Sequence, residues 1–263
     1  MKNAKKILAV VLAAVIVCLA FVGCQKAADS KTDTDKKVMK LATCADFPPY
    51  EFVGDGGEFA GIDIEVATAV AEKLGYTLEV ENMDFDSIIP AISTGKCQLG
   101  MAGITVTADR AQSVDFANSY ATGIQAVIVK EDSPITTVDD LYAEGANYKV
   151  GVQLSTTGDI YFSDDVEDNK TTCTVEKFTV NGDSIAALKA GKIDAVIIDN
   201  EPAKNFVEAN DGLKILDTKF AEEDYAMALK KGSELTPEIN KALDELKADG
   251  TIQKIIDKYI PAK

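Results

Sequence analysis

The chain has 263 residues, with 27 Lys and Arg against 43 Asp and Glu, and a formal net charge of −16. That balance disfavours nucleic acid and anionic lipid as partners, because phosphate binding draws on clustered cations. Histidine is absent, which removes the commonest general base, the usual zinc ligand and the ordinary serine or cysteine triad.

The length allows one large domain or two of about 100 to 150 residues, and either can bury a proper core. At the N-terminus, Lys2, Lys5 and Lys6 precede an uncharged run from Ile7 to Gly23. Basic-then-apolar order is the pattern of a secretory signal. The run is at the short limit for a spanning helix, so a cleaved signal over 1–23 is the reading and a permanent anchor helix its alternative. The run ends LAFVGC, and small residues leading into Cys24 resemble the bacterial lipoprotein signal, with Phe21 where leucine is usual. Cys24 is then the lipidation site, and two or three acyl chains suffice for stable anchoring. Cleavage removes three lysines and no acid, taking the charge from −16 to −19. Residues 24–37 are polar, lack periodic apolar positions, and read as a flexible tether.

Beyond the tether, strand and helix patterns alternate, which points to an α/β sheet. VMKLAT reads as a strand. IDIEVATAVAEKLG reads as a helix with Ile62, Val66, Ala69, Val70 and Leu74 on one face and Gly75 at its end. TLEVEN is a strand, FDSIIPAISTG a short helix, and CQLGMAG a further strand. GDGGEFAG is glycine-rich, but Asp55 and Glu58 would repel a phosphate, so a hairpin turn is the reading. Asp63 and Glu65 read as the solvated first turn of their helix. A similar plan of helix end, Gly-Lys, strand and polar end occurs at 90–103 and at 186–199, which suggests two lobes delivering strand ends to a shared crevice. ATGIQAVIVK (121–130) and EDYAMALK (223–230) are extended and sit at the changes of unit. Two crossing strands there would make a hinge. Besides Cys18 and Cys24 the cysteines are Cys44, Cys97 and Cys173, without CxxC spacing, so free thiols or one bridge with a spare thiol are both open.

Arg110, at the end of MAGITVTADR, is the sole arginine among 27 basic residues. Its guanidinium is a planar fork that binds a carboxylate through two parallel hydrogen bonds, which lysine cannot reproduce. Gly103 before it would let a ligand approach the backbone, Thr105 and Thr107 offer hydroxyls, and TADR reads as a first helical turn capped by Thr107. A surface arginine in a lysine-biased chain is the equal alternative from these residues alone. An amino acid would need an opposing carboxylate for its ammonium, and Asp199 ends the matching strand of the other unit. In VGVQLSTTGDIY, Thr156 and Thr157 begin a helix and could add hydroxyl and amide donors, or simply cap it.

With these residues in place the chain resembles the family 3 solute-binding proteins of polar amino-acid ABC importers. The resemblance rests on GIDIEVATAVAEKL, ADFPPYEF, MDFDSIIPAI, MAGITVTADR, VGVQLSTTGD and IDAVIIDNEPA, in order and in register, and covers about Lys37 to Lys263. It implies that Arg110 holds the substrate α-carboxylate with Thr105 and the Thr156–Thr157 turn. It further implies that Gly103, beside Ala102, and Asp199 take the α-ammonium. Phe47 and Phe85 would sandwich the side chain, and Asp46 and Gln153 would decide selectivity. Cys44 stands where members selective for basic amino acids often have aspartate, and Ser155 replaces a frequent glycine.

The expected fold is therefore α/β, a two-lobed type II periplasmic-binding-protein fold with the cleft between lobes joined by a two-strand hinge. The expected divisions are 38–121 for the first part of lobe 1, 122–223 for lobe 2 and 224–263 for the rest of lobe 1. The expected function is capture of a free polar or basic L-amino acid, arginine or lysine first and glutamine or cystine next, for delivery to an ABC permease. No cofactor, metal or nucleic acid is expected, and the membrane is touched only through the lipid anchor of a monomer on the outer face of the cytoplasmic membrane. The alternative is a dehydratase or lyase for a carboxylated small molecule, with Asp46, Glu51 or Asp199 as acid or base. A receptor sensing domain is a third option, disfavoured because nothing follows the domain.

Overall fold

A computed structural model describes residues 37–261. The expected signal, Cys24 and residues 25–36 of the expected tether lie outside the described residues. Among the described residues no helix is long and apolar enough to cross a membrane.

In chain order the first half holds β1 (Lys37–Thr43), a small hairpin set β2 (Asp46–Phe47), β3 (Glu51–Val53) and β4 (Phe59–Ala60), then α1 (Ile62–Lys73), β5 (Tyr76–Asn82), α2 (Phe85–Ser93), β6 (Leu99–Gly100), α3 (Arg110–Ser113) and β7 (Val114–Phe116). There follow β8 (Ala121–Lys130), a 3-10 turn at Val138–Tyr142, β9 (Lys149–Gln153), α4 (Thr157–Glu167), β10 (Thr174–Phe178), α5 (Asn181–Lys189), β11 (Ala195–Asp199), α6 (Asn200–Glu208) and β12 (Leu213–Ile215). The chain ends in β13 (Ala221–Tyr225), β14 (Ala228–Lys230), α7 (Leu235–Ala248) and α8 (Thr251–Tyr259).

These strands form two main sheets, which give the fold its two lobes. One runs β5-β1-β6-β14-β7; the other runs β10-β9-β11-β8-β12, with β13 also on β8. The chain passes from the first sheet to the second between β7 and β8, and returns between β13 and β14. β13 pairs antiparallel with β8 from Ala121 to Gln125, and β11 takes over along the same strand from Gln125 to Val129. At about 3.3 Å per residue, the ten-residue β8 is long enough to serve both a ribbon between the lobes and the interior of the second sheet.

Both sheets are covered on two faces. In β11, Ala195 and Ile197 pack with Val127, Val150 and Phe162, whereas Val196 and Ile198 face Ile185, Leu188 and Ala203. Strands buried on both sides have little use for a polar alternation, which is why AVII reads as a continuous apolar run. In the first sheet, Met39 and Leu41 pack with α1, α7 and α8 through Val66, Val70, Ile239, Leu243 and Ile252, while Ala42 faces Ile88 and Ile92 of α2.

The α1 helix differs in one respect from its expected face. Its buried residues are Ile62, Asp63, Ile64, Val66, Ala67, Val70 and Ala71, with Ala69 and Leu74 only half-buried. The stripe is rotated so that Asp63 lies on its inner edge, fully buried and not solvated. Glu65 does stay near the surface, where Lys258 and the Tyr259 hydroxyl meet its carboxylate. Between β3 and β4, the Gly54 N–H donates to the Glu58 carbonyl at 2.7 Å, closing a turn of the expected kind. Cys44, Cys97 and Cys173 are buried free thiols.

Candidate ligand-binding cleft

The carboxyl ends of β1, β6, β9 and β11 converge on a cavity, the place where open α/β sheets expose free polar groups to a ligand. The structure brings all eleven sequence-derived candidates to it. Asp46, Phe47, Phe85, Ala102, Gly103, Thr105 and Arg110 come from the first lobe, and Gln153, Thr156, Thr157 and Asp199 from the second. Cys44, Glu51, Gln125, Asn181, Ile197 and Ile198 complete the lining.

Arg110 is 8% exposed, and burial lowers its pKa, although a guanidinium keeps its charge in any protein environment. Its Nη1 donates to the Thr105 carbonyl at 2.9 Å and its Nη2 to the Ser155 carbonyl at 3.0 Å, so it spans the two lobes. The Phe85 ring lies 5.4 Å from Cζ and offers its negative face. Among the described residues no carboxylate forms an ion pair with Arg110. Glu223 acts on it only through space, and a buried cation facing a cavity without a contact counter-ion is a site for an anion.

Two details alter the donors expected around it. The Thr107 hydroxyl accepts the Arg110 N–H at 3.2 Å and its carbonyl accepts the Ala111 N–H at 3.0 Å, so Thr107 caps the TADR turn as expected, but residues 107–109 do not line the cavity. The Thr105 and Thr157 hydroxyls both donate to Glu223 Oε2 at 2.9 Å, where Gln125 Nε2 also reaches at 3.2 Å. Glu223 is buried on β13 behind the two threonines. The donors left for an anion are the guanidinium and the first amides of α4, which as N-terminal helical groups have no intrahelical partner. Thr156 caps α4 by accepting from the Asp159 N–H at 3.3 Å. Ser155, just before it, has φ +66°, in the left-handed region that costs a side chain strain.

Asp199 closes β11, accepting from the Tyr225 hydroxyl and, at 2.5 Å, from Gln125 Nε2. Burial, and after it the charge of Glu223, push its pKa well above the carboxylate range. A ligand cation would restore its charged form. Gly123 on β8 leaves the space that Tyr225 and Asp199 fill, since a Cβ there would collide with both. Gly103 has φ +53°, and a Cβ at this position would stand 2.8 Å from the Phe47 ring. Its missing side chain therefore serves the packing of Phe47 as well as any approach to the backbone.

At the other end, Asp46 and Gln153 tie the lobes together. Asp46 Oδ2 accepts from the Asn181 N–H at 2.9 Å and from Gln153 Nε2 at 3.4 Å, while Gln153 Oε1 accepts from Asn181 Nδ2 at 2.9 Å. Sequence reasoning missed Asn181, Gln125 and Glu223, and it considered Glu51 only as an acid for catalysis. Glu51 is 1% exposed and neither of its side-chain oxygens receives a hydrogen bond. Burial and the adjoining Asp63 push its pKa far up. Asp63 itself is held at about 6, burial raising it against hydrogen bonds from the Tyr120 hydroxyl at 2.5 Å and the Gly103 N–H at 2.9 Å. Phe47 stacks on Tyr50, which meets Tyr225 edge-on.

The lobes, the crossing strands and the enclosed cavity define a hinged solute receptor. Residues 39–262 match the family described as bacterial extracellular solute-binding proteins, family 3. The chain belongs to that family. It is 33% identical over 256 residues to the arginine-binding extracellular protein ArtP of Bacillus subtilis (strain 168), spanning 94% of this chain and 95% of that one. With a probable histidine-binding protein of Neisseria gonorrhoeae it shares 32% identity over 264 residues, 98% of this chain and 96% of the other. A solved ancestral arginine-binding protein bound to arginine superposes with a TM-score of 0.79 at 39% identity, over 86% of this chain and 99% of that one. These relatives are binding proteins, and the present chain is an exported binding protein rather than the dehydratase or lyase weighed as an alternative.

Proposed function

We propose that the chain is the substrate receptor of an amino-acid ABC importer and that its ligand is a polar or basic L-amino acid, one with a cationic side chain, arginine or lysine, first and glutamine or cystine next. The observation that carries this is the charge of the lining, which holds one cation, Arg110, against the carboxyl groups of Asp46, Glu51 and Asp199. A zwitterion's carboxylate pairs with Arg110 and its ammonium with Asp199. Asp46 is supplied with donors by Asn181 and Gln153, whereas Glu51 has none, and is left for a second positive charge. Burying a charge is tolerable only against such a partner. The names of the relatives above, arginine- and histidine-binding, agree with this reading.

In the mechanism, substrate meets the first lobe, and closure about β8 and β13 adds Thr156, Thr157, Gln153 and Asp199 from the second, a hinge motion general to periplasmic binding proteins. The lobes are 38–121 with 224–263, and 122–223. The closed form is what the permease recognises. Cleavage before Cys24 and its acylation would hold the monomer on the outer face of the cytoplasmic membrane.

A thermal-shift screen of the chain from Lys37 against the common amino acids tests the reading. L-Arginine and L-lysine at about a thousandfold over their dissociation constants should stabilise by roughly 4 kcal/mol. No response to any amino acid refutes the transport role.

A further inference from the structure

Glu51 lies in acidic surroundings on every side. Asp63 of α1 adjoins it, Asp46 of β2 and Asp199 at the end of β11 act on it through space, and the weaker acids Cys44, Tyr50 and Tyr120 face it. Arg110, the one basic side chain in the lining, contacts the Thr105 and Ser155 carbonyls rather than Glu51. An ionised Glu51 in the empty cleft would combine desolvation, like-charge repulsion and the lack of any donor. A proton removes all three, because a neutral Glu51 can donate to Asp63.

We propose that Glu51 is neutral in the empty cleft and gives up its proton when a cationic side chain enters, so that capture exchanges one positive charge for another. The inference rests on the cationic-ligand reading above. The O–H bond of Glu51 breaks, the proton bonds to the buffer base, the carboxylate pairs with the ligand cation, and no covalent bond forms between protein and ligand. Affinity for a cationic amino acid then rises with pH, by at most about tenfold per unit, until Glu51 ionises unaided in the empty protein. Neutral amino acids do not exchange this proton. Asp199 meets the ammonium of every amino acid, so any proton it releases is common to neutral and cationic ligands.

The test is calorimetric titration of the purified protein with L-arginine and with L-glutamine, each in phosphate and in imidazole at matched pH between about 6 and 7.5. The dependence of the enthalpy on buffer counts the protons released. L-Arginine should release about one more proton than L-glutamine. Glu51→Gln should abolish that difference, flatten the pH dependence and weaken L-arginine by roughly 100-fold at the upper pH, while L-glutamine still binds and shows the variant to be folded. Binding of L-arginine with no extra proton release, or an undiminished release in Glu51→Gln, overturns the proposal. Failure of L-arginine and L-lysine to bind while neutral amino acids do so overturns the cationic-ligand reading, and this proposal with it. If the variant does not fold, the buffer dependence of the unaltered protein decides alone.

Discussion

The two ends of the cleft are both buried and both ionisable, yet they are built in opposite ways. At one end Arg110 is held by two carbonyls and an aromatic face, so its charge is permanent and its direction fixed before any ligand arrives. At the other, Glu51 has no donor at all and shares its acidity with Asp63. The lesson is that a buried group can be made ready for a ligand either by scaffolding its charge or by leaving it unsatisfied. The first choice favours geometry, and the second makes binding depend on pH.

The largest expected effect comes from removing the scaffolded fork. Arg110→Lys keeps the charge but loses the two parallel contacts, and should weaken amino-acid binding by about 3 kcal/mol or more, with the unliganded unfolding temperature shifted little. Calorimetry showing normal binding would remove Arg110 from the site.

Next in size is the pH dependence of the empty protein. Asp63 has its folded pKa raised to about 6 from an ordinary 3.8. Over that window Asp63 binds more proton in the folded state than in the unfolded one, so its contribution to unliganded stability is complete below about pH 4 and is lost as pH rises through 6. The loss from this group is roughly 3 kcal/mol, at about 1.4 kcal/mol per unit. Denaturant titrations at stepped pH should show this decline, and Asp63→Asn should flatten it. A pH dependence left unchanged by Asp63→Asn would contradict the acidic end as described.

Gly123→Ala tests the hinge behind both ends. Its Cβ would drive Tyr225 off Asp199, and overpacking of this kind costs about 1 to 3 kcal/mol. Ligand affinity should fall with stability, because Asp199 loses its anchor. A variant that binds as well as the original would show that Tyr225 does not position Asp199. Smallest is Ser155→Gly, which relieves a left-handed residue and should stabilise the fold by about 1 kcal/mol. Binding should survive, since the Ser155 carbonyl that meets Arg110 is unchanged.

How much of this was legible depends on the kind of signal. The strands β1, β5, β6, β8, β9, β11 and β13 and the helix from Ile62 follow from short-range apolar patterns, whereas β7, β10 and β12 were not read, and all eleven candidate residues reach one cavity. Asp63 was misread as solvated although it stands three and four residues before Val66 and Ala67 on the apolar stripe, a spacing that could have placed it inward. Glu223 and Asn181 had no such mark. Their roles arise from partners 118 and 135 residues away, Thr105 and Asp46 respectively.

By itself the sequence determined what depends on neighbours along the chain: where strands and helices begin, which segments cross between units, and that a single guanidinium stands among lysines. Tertiary structure alone decided which polar groups are left without partners. Whether a carboxylate is satisfied depends on every element packed around it, so Asp46 became a tie between lobes and Glu51, five residues later, a buried acid without a donor.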